Sequence, residues 1–252
     1  MPRNFYLLLA VQFLSTLADN AFLIVAIARV IELAAADWII PALKLSFVIF
    51  YVLLAPFVGP FADAFPKGKV MLLANFIKVC AVGMMLTGID PIIAIGLAGL
   101  GAAIYAPAKY GLITELIPSK DLIKANGFFE STTVCAVILG TALGGLLVSP
   151  LMNQFNMPSG IWPLDNITTS LTVGMLSLLV LNGLATLLSF SITDSGARYA
   201  KHSIHPRIVV PAFFQGKFNS VAGYTGRIVH AGDYPALGRG RDAATDRIAL
   251  GQ

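Results

Sequence analysis

Long apolar segments alternate with short polar connections along the chain. Each segment is about as long as the roughly 20 residues that an α-helix needs to cross a bilayer. The pattern predicts six membrane-spanning helices, over residues 5–30, 38–62, 70–86, 92–116, 125–148 and 168–192. Pro41, Pro56 and Pro107 interrupt the second and fourth segments, which membrane helices tolerate because neighbouring groups satisfy the freed backbone. The expected fold class is therefore an all-α membrane protein.

Composition supports this class, because only 12% of the 252 residues are charged and 57% are hydrophobic. Soluble domains carry about 25% charged residues. The mean hydropathy is +0.80. By itself, the net charge of +4 gives no reason to expect nucleic-acid binding. Cys80 and Cys135 lie in apolar runs without metal-ligand spacing, so we predict buried packing thiols and neither a disulfide nor a metal site.

The basic residues also predict an orientation. Lysines and arginines lie before the first segment, in the second-to-third and fourth-to-fifth connections and after the sixth segment: Arg3, Lys67, Lys69, Lys120, Lys124, Arg198, Lys201 and Arg207. The third-to-fourth and fifth-to-sixth connections hold Asp90 and Asp165, respectively, and no basic residue. The positive-inside rule then predicts that both termini are cytoplasmic.

The two ends of the chain differ in character from the middle. The start resembles a signal peptide, but the apolar run continues through "FLIVAIARV", which favours a retained first helix. Residues 195–252 contain eight Lys or Arg and no apolar run of spanning length. We therefore predict a six-span bundle over residues 1–194 and a basic, poorly ordered cytoplasmic tail over 195–252.

Ionisable residues inside apolar segments are the main functional signal, because each must be paired, hydrated or neutral in a membrane. Asp19 is followed by Asn20 in "STLADNAFL" and lies deep in the first segment. It has two interpretations, a buried pair that ties the bundle together and a wet cavity that handles a polar substrate or a proton. Further candidates are Lys44, Lys78, Lys109 and Glu130, of which Lys78 in "ANFIKVCAV" has no evident partner.

The stretch "GAAIYAPAKYGLI" strengthens the interpretation of a substrate site. Its small residues allow close helix approach, and Pro107 disturbs the helix shortly before Lys109. A disturbed helix beside a basic residue is typical of anion sites in transporters. Lys109 with Tyr105 and Tyr110 is thus a candidate for holding a phosphate.

The loop "GPFADAFPKGKVM" carries the most specific motif. Gly59, Asp63, Lys67, Gly68 and Lys69 match the pattern G-x-x-x-D-x-x-x-[KR]-G-[KR]. This pattern resembles the signature between the second and third spans of the major facilitator superfamily. A glycine permits close helix packing, and the charged residues can form and break contacts as helices rock, so we predict a gating element.

Four segments, one of which includes this loop, resemble the bacterial lysophospholipid transporter family of that superfamily. They are "QFLSTLADNA", "APFVGPFADAFPKGKVM", "YAPAKYGLITEL" and "KANGFFESTTVCAVILGTALGG". The resemblance covers roughly residues 7–193. It implies flipping of lysophospholipids, such as lysophosphatidylethanolamine, across the bacterial inner membrane without a cofactor. It also implies re-acylation by a cytoplasmic acyltransferase/acyl-carrier-protein synthetase partner. In the superfamily's arrangement, spans one and four face the central cavity, which would place Asp19, Asn20 and Lys109 there. Tyr105 and Glu130 complete the predicted substrate residues.

The chain departs from the superfamily pattern, in which twelve spans form two six-span halves. Only the first half is recognisable, so transport would require a second six-span half or self-association. Alternatives are a proton-coupled exporter of small molecules, a truncated remnant without transport activity, and a membrane enzyme. The enzyme is disfavoured because all three histidines lie in the tail and no catalytic cluster falls in the spans.

Overall fold

The computed structural model describes residues 2–154 and 169–192, and within these ranges it is a bundle of long helices without strands. The helices are α1 Arg3–Glu32, α2 Ile39–Ala64, α3 Lys67–Leu86, α4 Pro91–Leu116, α5 Leu122–Leu147 and α6 Thr169–Phe190. All six are long and apolar enough to cross a membrane. The predicted spans and the all-α membrane class are therefore confirmed. The predicted tail, 195–252, lies outside the described residues.

Local sequence sets the boundaries of α4. The carboxylate of Asp90 accepts a hydrogen bond from the backbone N–H of Ile92 at 2.7 Å, and Pro91 occupies the first helical position. Both are favoured at a helix start because the first backbone donors have no partner inside the helix. In the turn before α4, Gly88 has φ +84°, a left-handed conformation that glycine adopts readily because it has no Cβ. Pro107 lies inside α4, which continues as one helix to Leu116.

Small residues let the helices approach backbone to backbone. α2 packs against α4, α3 packs against α4 and α6, and α1 packs against α5 and α6. A Cβ added to Gly99 of α4 would lie 2.2 Å from the carbonyl oxygen of Phe47 in α2. A Cβ on Gly140 of α5 would lie 2.5 Å from the oxygen of Leu17 in α1. Larger side chains at these positions would force the helices apart, as expected where packing holds a membrane bundle together.

Two apolar cores lie on either side of a polar layer. One contains Phe22 of α1 and Met85 of α3, and the other contains Leu8 of α1 and Met71 of α3. Between these positions along α1 and α3 lie the buried polar residues Ser15, Asn75 and Lys78. Burial of unpaired polar groups is costly, so this layer must satisfy its own hydrogen bonds.

α2 and α5 bury the least surface of the six helices. Only 11% of an 18-residue apolar stretch of α2 is buried inside the bundle, and the share in α5 is 22%. Cys135 of α5 and Cys80 of α3 are exposed free thiols. The prediction that both cysteines are buried was wrong, because an apolar run in a membrane helix also includes the side that faces away from the bundle.

Candidate functional site

Asp19 and Lys78 form an ion pair in the polar layer. The Lys78 Nζ donates to Asp19 Oδ2 at 2.6 Å and to Ser15 Oγ at 2.8 Å. The Lys78 side chain is 3% exposed and that of Asp19 is 17% exposed. α3 thus supplies a buried cation that meets the carboxylate of α1, and Lys78 has the partner that its sequence context did not reveal.

Asp19 also borders a cavity of about 390 Å³ between α1, α2, α4 and α5. This volume lies within the range of small-molecule sites. Its polar lining residues are Gln12, Thr16, Asp19, Asn20, Lys44, Tyr51, Lys109 and Thr133, and its apolar ones are Leu23, Phe47 and Val48. Asp19 therefore both pairs with a buried cation and borders a cavity, and its role toward a substrate stays a prediction.

A hydrogen-bonded stripe follows α1 along this cavity. The Gln12 amide donates to Thr16 Oγ1 at 2.9 Å and to Thr133 Oγ1 of α5 at 3.1 Å. Asn20 donates to the carbonyl oxygen of Thr16 at 2.8 Å. The carbonyl oxygen of the Gln12 side chain is buried and accepts no hydrogen bond in the described part of the chain. A buried acceptor without a partner is uncommon in folded proteins and marks this position on α1 as unusual.

Lys109 lies in the cavity wall formed by α4. Its Nζ is 4.8 Å from the ring centroid of Tyr110 and 5.3 Å from that of Phe129. Aromatic faces attract cations at such distances and hold the ammonium group in place. A lysine held this way keeps its donors for an anionic ligand.

Tyr105 and Glu130, both predicted substrate residues, do not line the cavity. Tyr105 is buried, its ring centroid lies 5.2 Å from Lys78 Nζ, and its hydroxyl has no hydrogen-bond partner among the described residues. Glu130 is exposed and accepts a hydrogen bond from the Tyr110 hydroxyl at 3.1 Å. The structure therefore brings Asp19, Asn20 and Lys109 together at one cavity. It places Tyr105 and Glu130 outside the cavity lining.

The predicted gating loop lies at one end of α2 and α3. The buried Lys67 donates to the carbonyl oxygen of Ala62 at 2.9 Å, and its side chain passes close to Gly111 of α4. A Cβ on Gly68 would lie 3.0 Å from the carbonyl oxygen of Ile192. Lys69 is exposed. Gly59 and Asp63 fall in the last turns of α2, but their side-chain placement lies outside the described residues.

The arrangement offers charges of both signs around a single cavity. Asp19 on α1 can accept hydrogen bonds from a cationic group, and Lys44 on α2 and Lys109 on α4 can donate to an anionic one. Charge-assisted hydrogen bonds of this type are about twice as strong as neutral ones. The cavity therefore suits a zwitterionic or anionic head group, with apolar surface available next to it.

Comparison with known proteins places the chain in a transporter class. The family model described as Major Facilitator Superfamily matches residues 8–190, and the chain belongs to that superfamily. The chain is 47% identical over 136 residues to a protein of Klebsiella pneumoniae named lysophospholipid transporter LplT. It is 42% identical over 147 residues to the protein of that name from Yersinia enterocolitica.

These alignments cover 54% and 58% of this chain, respectively. They cover 34% and 36% of the two relatives, so the chain spans about a third of the length of the curated relatives that it matches. The resemblance inferred from the sequence segments is confirmed over this part. The relatives are named as transporters, and six apolar helices make this chain a multi-pass membrane protein.

Proposed function

We propose that this chain binds lysophospholipids, such as lysophosphatidylethanolamine, and moves them across the membrane toward the cytoplasmic leaflet. The observation that carries the proposal is the cavity that Asp19, Asn20 and Lys109 share. A phosphate would accept hydrogen bonds from Lys109, and the amine of the head group would donate to Asp19. The names of the relatives support this substrate class.

The apolar side of the cavity supports binding of a lipid with one acyl chain. Leu23, Phe47 and Val48 line the cavity beside its polar groups. The head group would enter this space, and the acyl chain would extend along the exposed apolar surface of α2, where Leu45 and Val52 are more than half exposed. A lipid can then cross without its head group entering hydrocarbon, which would be costly.

Uptake into proteoliposomes tests this function. Liposomes that contain the purified chain should internalise fluorescent lysophosphatidylethanolamine faster than protein-free liposomes, as measured by the fraction that albumin fails to extract. The control is the same lipid with two acyl chains. Its second chain also has to fit beside the cavity, so its uptake should be slower than that of the lipid with one chain. Equal rates in liposomes with and without folded protein would contradict the proposal.

We further propose that the face of α2 and α5 packs against a second helical bundle. Exposed apolar side chains of α5 include Val134, Ile138 and Leu139, beside Cys135. α2 and α5 are also the two least-buried of the described membrane-spanning helices. The chain also spans about a third of its relatives' length, so the partner could be a further part of a longer chain or another copy.

In membranes that contain only this chain, we expect two copies to pair through this face. Thiol-specific cross-linking should then produce a dimer through Cys135, and the Cys135→Ser variant should lose it. Cys80, an exposed free thiol on α3, is the matched control whose replacement should change nothing. A dimer that persists in Cys135→Ser but disappears in Cys80→Ser would contradict this assignment.

We propose that both termini are cytoplasmic and that the protein resides in a bacterial inner membrane. The α2–α3 and α4–α5 connections carry lysines, whereas the α3–α4 connection carries Asp90 and no basic residue. In intact cells treated to admit solutes past the outer membrane, an impermeant maleimide should label Asp90→Cys and leave Lys120→Cys unlabelled. The reverse pattern would exclude this orientation. An acyltransferase partner remains a prediction from the resemblance.

A further inference from the structure

Lys78 lies behind Asp19 as seen from the cavity. Asp19 lines the cavity and Lys78 does not, yet the two side chains meet at 2.6 Å. In the described part of the chain, only Oδ2 of Asp19 takes part in hydrogen bonds, with Lys78 as the donor. A head-group amine would therefore meet a carboxylate that another cation already contacts.

A chain of hydrogen bonds holds Lys78 in this position. Ser15 accepts from Lys78 and donates to Asn75 Oδ1 at 2.9 Å. Asn75 donates to Ser189 Oγ of α6 at 3.0 Å, and Ser189 donates to the carbonyl oxygen of Ala185 at 2.7 Å. Each hydrogen bond of this chain donates in the direction away from Lys78, and the network holds no carboxylate other than that of Asp19. Its position is fixed by α1, α3 and α6 together.

We propose that Lys78 determines the head-group selectivity of the cavity by partly cancelling the charge of Asp19. The proposal rests on the proposed function, because it concerns the same cavity and the same lipids. With Lys78 in place, the amine of a head group contributes little to binding, and the phosphate contacts dominate. Lys78 is thus a positioning residue that sets specificity through Asp19 and touches no lipid.

A purely structural role for Lys78 makes a different prediction. If Lys78 only stabilised the bundle, its loss would weaken binding of all lysophospholipids to the same extent. If it balances the charge of Asp19, its loss should change the relative affinity of lipids that differ in amine charge. The ratio of two affinities therefore separates the roles, whereas a single affinity does not.

The experiment uses two lipids with the same acyl chain and phosphate. One is lysophosphatidylethanolamine, and the other is its N-acetylated derivative, which lacks the positive charge. Binding of each to the full chain in phosphatidylcholine nanodiscs gives a selectivity ratio, the Kd of the N-acetylated lipid divided by the Kd of the amine. Lys78→Met should raise this ratio by about tenfold over wild type, because the freed carboxylate attracts the amine. Lys78→Arg keeps the charge and should retain the wild-type ratio.

Lys124→Met is the matched control for loss of a positive charge, since Lys124 is exposed on α5 and does not line the cavity. It should leave the ratio unchanged. A wild-type ratio in folded Lys78→Met would overturn the proposal.

A second comparison keeps the proposal testable if Lys78→Met does not fold. Asp19→Asn leaves Lys78 uncompensated, so the amine lipid should bind more weakly than the N-acetylated one and the ratio should fall below one. Asp19→Asn with Lys78→Met removes both charges, and the ratio should return to about one, as in a double-mutant cycle. Equal ratios in these two variants would overturn the proposal.

Failure of this inference differs visibly from failure of the proposed function. If folded wild-type protein binds neither lipid, the proposed function fails. If wild-type protein binds both lipids and no variant shifts their ratio, the proposed binding of lysophospholipids stands, and the roles of Asp19 and Lys78 in head-group selectivity are lost.

Discussion

Lys109→Gln is expected to slow uptake of labelled lysophosphatidylethanolamine into proteoliposomes by about a hundredfold. Lys109 lines the cavity with its ammonium held near the rings of Tyr110 and Phe129. Hydrogen bonds to charged groups contribute about 1.5–3 kcal/mol. A loss near the upper end of that range corresponds to about a hundredfold in affinity. Initial uptake rates at a lipid concentration below half-saturation measure the effect.

Two further variants make the result specific. Lys109→Arg keeps the charge and should retain a substantial part of the uptake, because guanidinium groups also bind phosphate. Lys124→Gln removes an exposed lysine of α5 that does not line the cavity, and it should be as active as wild type. Wild-type uptake by Lys109→Gln, or an equal loss in Lys124→Gln, would remove Lys109 from the proposed site.

The second large effect is on stability, at the ion pair of the polar layer. Lys78→Met leaves Asp19 as an uncompensated carboxylate beside buried polar groups. Removal of one partner of a buried pair typically costs about 3–5 kcal/mol. For a chain of this size we expect the apparent Tm in detergent to fall by about 10 °C. Thermal unfolding followed by fluorescence measures this change.

The double variant Asp19→Asn with Lys78→Met should recover most of the lost stability. Neutral side chains of similar volume avoid the cost of an isolated charge in this layer. If the double variant were as unstable as Lys78→Met alone, the loss would come from packing around Lys78 and the ion pair would not be its cause.

The helices could be predicted from sequence because the physical requirement is simple. A bilayer demands about 20 apolar residues per span, and the six predicted segments agree with the six helices to within a few residues. The cavity residues Asp19 and Lys109 were also identified, because charges in apolar runs are rare and conspicuous, and Asn20 was identified because it follows Asp19. Their shared location depends on packing between α1 and α4, which the sequence does not specify.

The partner of Asp19 was missed because Asp19 and Lys78 lie on different helices and are 59 positions apart in the sequence. A signal was present in the spacing, however. Ser15 and Asp19 are four residues apart on α1, and Asn75 and Lys78 are three apart on α3, so each pair lies on one helix face. Two polar faces in a bundle are expected to meet, because neither can remain against lipid.

Tyr105 illustrates the opposite limit. It lies four residues before Lys109, so helical spacing predicts one shared face. In the structure, Tyr105 is turned inward to Lys78, whereas Lys109 borders the cavity. A small angular difference around α4 thus separates the buried network from the cavity, and only the positions of the neighbouring helices decide on which side each residue lies.

The most direct test of the central claim is photo-cross-linking with a lysophosphatidylethanolamine that carries a photoreactive group on its head group. If the cavity binds the head group, mass spectrometry should find the adducts on α1 between Thr16 and Leu23, on α4 at Lys109 and on α5 at Thr133, and unlabelled lipid should compete them away. Adducts confined to outward positions, such as Phe76 and Cys80 of α3, would contradict the account.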